Sequence, residues 1–327
     1  MKITFLGGGS FGTALAKSMT VIGHDVLLYV RDQERVRHIN EEHINEKYLK
    51  GIQLPENLKA TSDLKKALTG REIIVLAVPS NAVRDIAEKI KPHLRGDEII
   101  VSIAKGIDPK TLRPLSETIL DIINTDPVIL SGPSHAEELA LELPTTLVAS
   151  SHNELAMVRV QEAFSCDTLR VYRNHDLMGV EIGGAVKNII ALAAGISDGI
   201  GYGDNAKAAL MTRGMAEIIR IGEKMGADTE TFYGLTGIGD LIVTCTSMHS
   251  RNRRCGMLIG QGHTMDEATK EVGMVVEGIK ATQAFFELAK HHHVDMPITD
   301  AVHRVLFEGA DPKVAVLDLM NRELKRE

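Results

Sequence analysis

The sequence offers little sulfur chemistry. It has three cysteines, Cys166, Cys245 and Cys255, with no CxxC spacing, and an odd number cannot all pair. A disulfide framework is therefore not expected, and buried or half-buried free thiols in a reducing compartment fit better. Positive charge is outweighed, with 37 lysines and arginines against 44 aspartates and glutamates. The formal net charge is −7, which argues against a surface built for nucleic acid or anionic membrane and leaves room only for a local basic pocket. There is no internal repeat and no low-complexity linker, so two closely packed domains with a cleft between them are expected. The longest apolar block, residues 185–196, reads as too short and too interrupted to span a bilayer. The opening MKITFLGGG enters a strand at once, without a charged leader, apolar stretch and cleavage site. A soluble, cytoplasmic protein without membrane insertion is the expectation.

What is present is ordinary globular composition, 44% apolar and 25% charged over 327 residues, a length that suits about two domains. Up to about residue 174, short β-branched runs alternate with helical patterns. The expected strands are Ile3–Leu6, Val26–Val30, Ile73–Val78, Ile99–Ile103, Val128–Leu130, Thr145–Ala149 and Leu169–Tyr172. Val83–Ile90, Thr111–Ile123 and Glu154–Phe164 read as helices between them. Continuous apolar strands joined by helices require a parallel sheet covered on both faces. The fold class is thus α/β, a Rossmann-like doubly wound domain over residues 1–177. Beyond it, Ile182, Val186, Ile189, Ala193 and Ile196 recur at helical steps, and Met211–Met225 and Thr282–His291 continue the pattern. Residues 178–327 read as a mostly α-helical substrate-binding and catalytic domain.

The glycines at Gly7, Gly9 and Gly12 match GxGxxG between the first strand and a helix. A dinucleotide site needs them for a tight turn, for close approach of backbone to pyrophosphate, and for helix–strand packing. The helix N-terminus then adds N–H groups for the phosphates. At the end of the second strand, Arg31 could stack on adenine and meet a 2′-phosphate, which points to NADP(H). Asp32 leaves NAD(H) open.

Within the Glu181–Ala191 stretch and on to Ile196, Lys187 and Asn188 are the only polar side chains after Glu181, in an otherwise apolar helix. Isolated polar groups there are costly without a function or partner. Gly183 and Gly184 lie on the patch a helical side chain leans over and would let a small molecule reach the amine. Asp240 and Thr244 share a helix face if a helix starts at Gly239; a plain N-cap aspartate is the competing account. Ser250-Arg251-Asn252-Arg253-Arg254 suits a phosphate monoester, or is simply a solvated charge run. Two strand-end loops, Ser102–Gly106 with Lys105 and Ser131–Glu137 with small and hydroxyl side chains, fall where open α/β sheets bind ligands. His291-His292-His293 and Glu41-Glu42-His43 lack metal-ligand spacing, and no metal is expected.

These residues together resemble the bacterial NAD(P)-dependent glycerol-3-phosphate dehydrogenases, along essentially the whole chain. The resemblance rests on GGGSFGTALA at 7–16, AVPS at 77–80, AKGI at 104–107, GPSHAEE at 132–138, GGAVKNIIALAAGISDGIGYGDNAKAAL at 183–210, GIGDLIVTCTS at 237–247, SRNRRCG at 250–256 and VEGIKA at 276–281. It implies reversible hydride transfer between NADP(H) or NAD(H) and the pair dihydroxyacetone phosphate and sn-glycerol 3-phosphate. Ser10, Phe11, Arg31, Lys105, Ala136, Arg251, Val275 and Glu277 are then cofactor contacts. Lys187 exchanges the proton, with Lys105, Asp240 and Thr244 as its partners. Gly132, Ser134, Ser250, Arg251 and Asn252 join Lys105, Lys187 and Asp240 as substrate contacts. The resemblance also implies a cytoplasmic homodimer that feeds glycerophospholipid synthesis. His135, where relatives carry an aromatic residue, is a mild departure.

Two other readings share parts of this pattern. A 3-hydroxy-acid or hydroxyacyl dehydrogenase of the same two-domain plan would use a His–Glu pair, or a lysine without Arg251 and Asn252. A non-catalytic NAD(P)-sensing protein would keep the glycine turn and have no reason to keep Lys187.

Overall fold

The β-branched and aliphatic runs of the first half become eight strands: β1 (Lys2–Leu6), β2 (Asp25–Tyr29), β3 (Lys59–Thr61), β4 (Ile73–Leu76), β5 (Ile99–Ser102), β6 (Val128–Ser131), β7 (Thr145–Ser150) and β8 (Leu169–Asn174). In this computed structural model, which describes residues 1–324 and 326, they form one sheet in the order β3-β2-β1-β4-β5-β6-β7-β8. All neighbours are parallel except β6 and β7. Alternation along the strands feeds two cores. Val26, Leu28, Ile73 and Val75 join Leu15 and Met19 of the Ser10–Val21 helix, whereas Leu27, Ile74 and Leu76 join Val83, Ile86 and Ile90. Both faces are thus buried, as a doubly wound sheet requires. The strand order reverses beside β1, so the C-terminal ends of β1 and β4 mark the switch point where such folds bind ligands.

All seven expected strands are present, with ends shifted by a residue or two. The third strand, β3, was not expected: it is three residues long, begins with a lysine and pairs with only one neighbour. The Thr111–Ile123 helix starts late, at Leu115. Pro114 precedes its first turn and disfavours helical backbone in the residue before it, and Leu112 sits at a left-handed φ of 56°.

The chain divides into two compact units, Met1–Glu181 and the remainder from Ile182 onward. The division falls inside a single helix, Leu177–Ile200. At 24 residues this helix is long and apolar enough to cross a membrane, and 89% of its most apolar window is buried. Length therefore does not exclude a membrane span, contrary to the sequence expectation. Burial and its polar pair Lys187 and Asn188 are what mark it as a core helix. The second unit contains no strand among its described residues; its helices include Asp204–Lys224, Asp240–Thr246, Arg251–Gly260, Glu277–His292 and Pro297–Phe307. All three cysteines are free.

Two contacts organise the second unit. The Leu177–Ile200 and Arg251–Gly260 helices meet backbone to backbone through four glycines. A Cβ on Gly195 would lie 2.0 Å from the Arg253 carbonyl oxygen, and one on Gly199 2.1 Å from that of Met257. In return, a Cβ on Gly256 would lie 2.1 Å from the Leu192 carbonyl oxygen, and one on Gly260 2.3 Å from that of Ile196. Elsewhere, the buried Glu217 carboxylate accepts from the backbone N–H groups of Ile298 and Thr299 at 2.5 and 3.1 Å, closing the start of the Pro297–Phe307 helix. Burial pushes Glu217 up to about 7, against the pull of those bonds.

Gly195→Ala should cost at least about 1–3 kcal/mol of unfolding free energy in urea, because the new methyl must push two backbones apart; an unchanged midpoint would refute the contact. Glu217 has a folded-state pKa above the ordinary 4.5, so folding takes up a proton, and its contribution to stability falls as pH rises from 4.5 to about 7. The stability of wild type relative to Glu217→Gln should fall over that window, by up to about 1.4 kcal/mol per pH unit. A pH-independent difference would show that Glu217 does not titrate there.

Candidate active site

In the first unit, the turn after β1 shows what each glycine does. Gly7 adopts a φ of +128°, and a Cβ there would lie 2.3 Å from the Ala77 carbonyl oxygen just beyond β4. A Cβ on Gly12 would be 2.8 Å from both the Ala77 Cβ and the Gly7 oxygen, so the helix can pack only with glycine there. Nothing lies within 4 Å of a Cβ on Gly9; this is the position through which a phosphate could approach the backbone. Ser10 opens the helix and Phe11 packs, half-buried, against the sheet core. The Gly8 carbonyl accepts from Asn45 Nδ2 at 3.1 Å and from Arg35 Nη1 at 3.2 Å.

Arg31 is exposed at the end of β2. Asp32 is already engaged: its Oδ1 accepts from the backbone N–H groups of Glu34 and Arg35, and its Oδ2 meets Arg35 Nε at 3.3 Å. The Arg35 N–H leads in holding this carboxyl below the usual carboxylate range, helped by Glu34 and the Arg35 guanidinium against a partial desolvation. At the other strand ends, Lys105 Nζ donates to the Gly132 carbonyl at 2.9 Å, and Ser134 Oγ donates to the same oxygen at 3.0 Å. Ala136 opens the following helix. Lys105, Gly132 and Ser134, read separately from sequence, therefore form one group.

In the second unit the amine of Lys187 is buried, its side chain 6% exposed, and is held at 2.6 Å from both Asp240 Oδ1 and Thr244 Oγ1. Thr244 in turn donates to the Asp240 carbonyl at 2.6 Å. Asp240 is not an N-cap. Gly239 holds that position without a side-chain bond, and a π-helical turn, Leu235–Gly239, delivers Asp240 to the lysine. Gly183 serves this packing and does not open a path for a ligand. A Cβ there would lie 2.7 Å from the Thr236 carbonyl oxygen, so the turn itself fills the patch that the sequence reading left bare. Cys245, beside this group in sequence, is pushed up to about 12 by burial, with the Lys187 charge opposing, and stays a thiol.

The Arg251–Gly260 helix begins nearby in the same unit. Ser250 caps it, accepting from the Arg253 N–H at 3.2 Å. Asn252 is buried: its Nδ2 donates to Asn188 Oδ1 at 2.9 Å, and its Oδ1 accepts from the Gly278 N–H at 2.8 Å, joining three helices. Arg251 Nη1 donates to the Val275 carbonyl at 3.1 Å, which brings Arg251, Val275 and the adjacent Glu277 helix start together.

Family profiles described as NAD-dependent glycerol-3-phosphate dehydrogenase N-terminus and C-terminus match residues 2–157 and 176–317. The chain belongs to the NAD-dependent glycerol-3-phosphate dehydrogenases. It is 57% identical over 326 residues to the glycerol-3-phosphate dehydrogenase [NAD(P)+] of Clostridium tetani, covering 99% of this chain and 93% of that one. The crystal structure of glycerol-3-phosphate dehydrogenase from Coxiella burnetii superposes with a TM-score of 0.95 at 40% identity, covering 98% of this chain and 99% of the other. That from Plasmodium falciparum gives 0.90 at 26% identity, covering 100% and 97%.

For a glycerol-3-phosphate dehydrogenase, the SRNRR segment invites a wholesale phosphate-binding reading, and the geometry divides it. Arg253 is structural: it pairs with Asp198 at 2.8 Å, and Asp198 also holds Lys207 at 2.8 Å. Arg251 is the member tied to the Val275 backbone. The family's dinucleotide fits the first unit, because the turn is locked at Gly7 and Gly12 and open at Gly9. Sequence reasoning missed Arg35 and Asn45, which pin the Gly8 carbonyl from outside the motif, and the Asn188–Asn252 bond. A small-xxx-small spacing at 195/199 and 256/260 was a readable sign of the glycine contact.

Proposed function

We propose that the chain reduces dihydroxyacetone phosphate to sn-glycerol 3-phosphate, reversibly, with NADPH or NADH. The observation that carries this reading is the buried Lys187 amine held between Asp240 and Thr244. A bound nicotinamide supplies hydride to the ketone carbon. Lys187 Nζ then gives a proton to the developing alkoxide, and takes it back in oxidation. A positioned acid of this kind is worth about 10²–10⁴ in rate. The bonds to Asp240 and Thr244 fix the direction of the amine. Asp240 keeps the charge tolerable away from water, since an unpaired buried charge would be far more costly. In the first unit, Lys105 offers a second cation against negative charge, with Gly132 and Ser134 beside it. Arg251 offers a planar donor fork to the substrate phosphate. The glycine turn, Ser10, Phe11, Arg31 and Ala136 serve the cofactor. Ser250, Asn252, Val275 and Glu277 shape the surroundings of Arg251. The setting we propose, from the sequence resemblance, is a cytoplasmic homodimer supplying glycerophospholipid synthesis.

The first test is loss of nicotinamide absorbance on adding dihydroxyacetone phosphate. Lys187→Ala should lower kcat by at least about 10²-fold while cofactor affinity survives; unchanged turnover would remove the lysine from its role. Arg251→Ala should raise KM for dihydroxyacetone phosphate and weaken discrimination against dihydroxyacetone. An unaltered KM would count against the phosphate contact.

A further inference from the structure

The helix that brings Asp240 and Thr244 to Lys187 is weak on its own terms. It runs over seven residues, Asp240–Thr246, where an isolated helix needs about 12–15 to be even marginal in water. No side chain caps its start, and Ser247 closes its end only through a backbone N–H. Ile242 and Thr246 are exposed, so packing covers one face at most. Its orientation therefore depends on what holds the two ends. At the start, the π-helical turn sits on Gly183 through the Thr236 carbonyl. At the finish, Arg253 Nη1 donates to the Thr246 carbonyl at 3.0 Å, one of the terminal acceptors a helix leaves without an internal partner.

Arg253 reaches that carbonyl from a fixed base. Its Nε and Nη2 meet Asp198 Oδ2 at 2.9 and 2.8 Å, and both side chains are 11% exposed. Asp198 lies on the Leu177–Ile200 helix, about three turns beyond Lys187. One guanidinium thus joins the helix that carries the lysine to the far end of the helix that carries its partners. Its side chain bonds to Asp198, Thr246 and Met248, and to none of Lys187, Asp240 and Thr244. The buried Cys245 thiol shows how near the two ion pairs lie. Desolvation raises it first, and the charges of Lys187, Asp240, Arg253 and Asp198 then all act on it.

We infer that Arg253 is a positioning residue for proton transfer: from its Asp198 anchor it caps the Asp240–Thr246 helix and so holds Asp240 and Thr244 in reach of the Lys187 amine. This rests on the reading of Lys187 as the proton donor. It gives Arg253 a part in turnover and none in holding the substrate phosphate or the cofactor. A displacement of about 1 Å in a reacting group can cost about 10²-fold in rate, so a slack helix end matters.

The experiment follows steady-state reduction of dihydroxyacetone phosphate by the full chain, with nicotinamide fluorescence for cofactor affinity and thermal midpoints alongside. Arg253→Ala should lower kcat about tenfold or more, with KM for the ketone and cofactor affinity kept within about twofold. Arg253→Lys keeps a charge on Asp198 but lacks the fork to serve Asp198 and Thr246 together. It should fold even where the alanine variant does not, and still lose about tenfold in kcat. Thr244→Val removes a group through which Arg253 acts, so in that background Arg253→Ala should cost less than about threefold. A raised KM with unchanged kcat would overturn the proposal and return Arg253 to the phosphate. Full turnover in Arg253→Lys would overturn it as well, since a charge on Asp198 would then suffice. So would an Arg253→Ala effect of equal size with and without the Thr244 hydroxyl. Lys187→Ala, measured in the same series, separates this inference from its basis. Normal turnover there defeats the lysine reading and the inference with it, whereas an inactive Lys187→Ala beside an unimpaired Arg253→Ala defeats the inference alone.

Discussion

The second unit depends on two helices whose backbones touch. Gly195 and Gly199 on one and Gly256 and Gly260 on the other leave no side chain at the crossing, so the separation is set by main-chain atoms and not by adjustable rotamers. Several of the unit's polar contacts are registered to it. The same pair of helices carries Lys187 and Asn188 on one side and Arg251, Asn252 and Arg253 on the other. The Asn188–Asn252 and Asp198–Arg253 bonds then fix rotation about the crossing. Close approach supplies distance, and the hydrogen bonds supply direction.

Set within this frame, the lysine is a charge in an apolar helix, tolerated because its partners are built in. Removing one member of a buried pair costs about 3–5 kcal/mol, whereas an intact pair is near neutral for stability. Lys187–Asp240 is thus poorly explained as a stabilising device and well explained as a chemical one. The first unit shows the same economy. One carbonyl, that of Gly8, collects donors from Asn45 and Arg35, so residues distant in sequence hold the cofactor turn in shape.

How much of this was legible in the sequence depends on how local each signal was. Strands buried on both faces announce themselves as β-branched runs, and the sheet was readable for that reason; β3, with three residues on an edge, carries too little pattern. The lysine helix stood out because polarity was missing around Lys187. What could not be read was which backbone fills a gap. The glycine at 183 looked like an opening and is a seat for the Thr236–Gly237 turn. Asp240 offered the same spacing as a helix cap and as an ion-pair partner, and only the π-helical turn before it separates the two. The arginines of the 250–254 segment are equivalent in sequence, and the Asp198 pairing that makes Arg253 structural comes from 55 residues away.

One consequence concerns modularity. Domains that evolution or an engineer can exchange usually part at an exposed linker. Here the boundary between units runs through the interior of the Leu177–Ile200 helix, and Lys187 lies six residues beyond Glu181. A cut at that boundary would turn the lysine's turn of helix into a fraying chain end, with unmet backbone donors where its register is now set. Grafting the second unit onto another dinucleotide-binding half would have to carry the helix from Leu177, and the receiving half would need a partner for the buried Glu181 carboxylate, which here accepts from the Ser116 N–H at 3.0 Å.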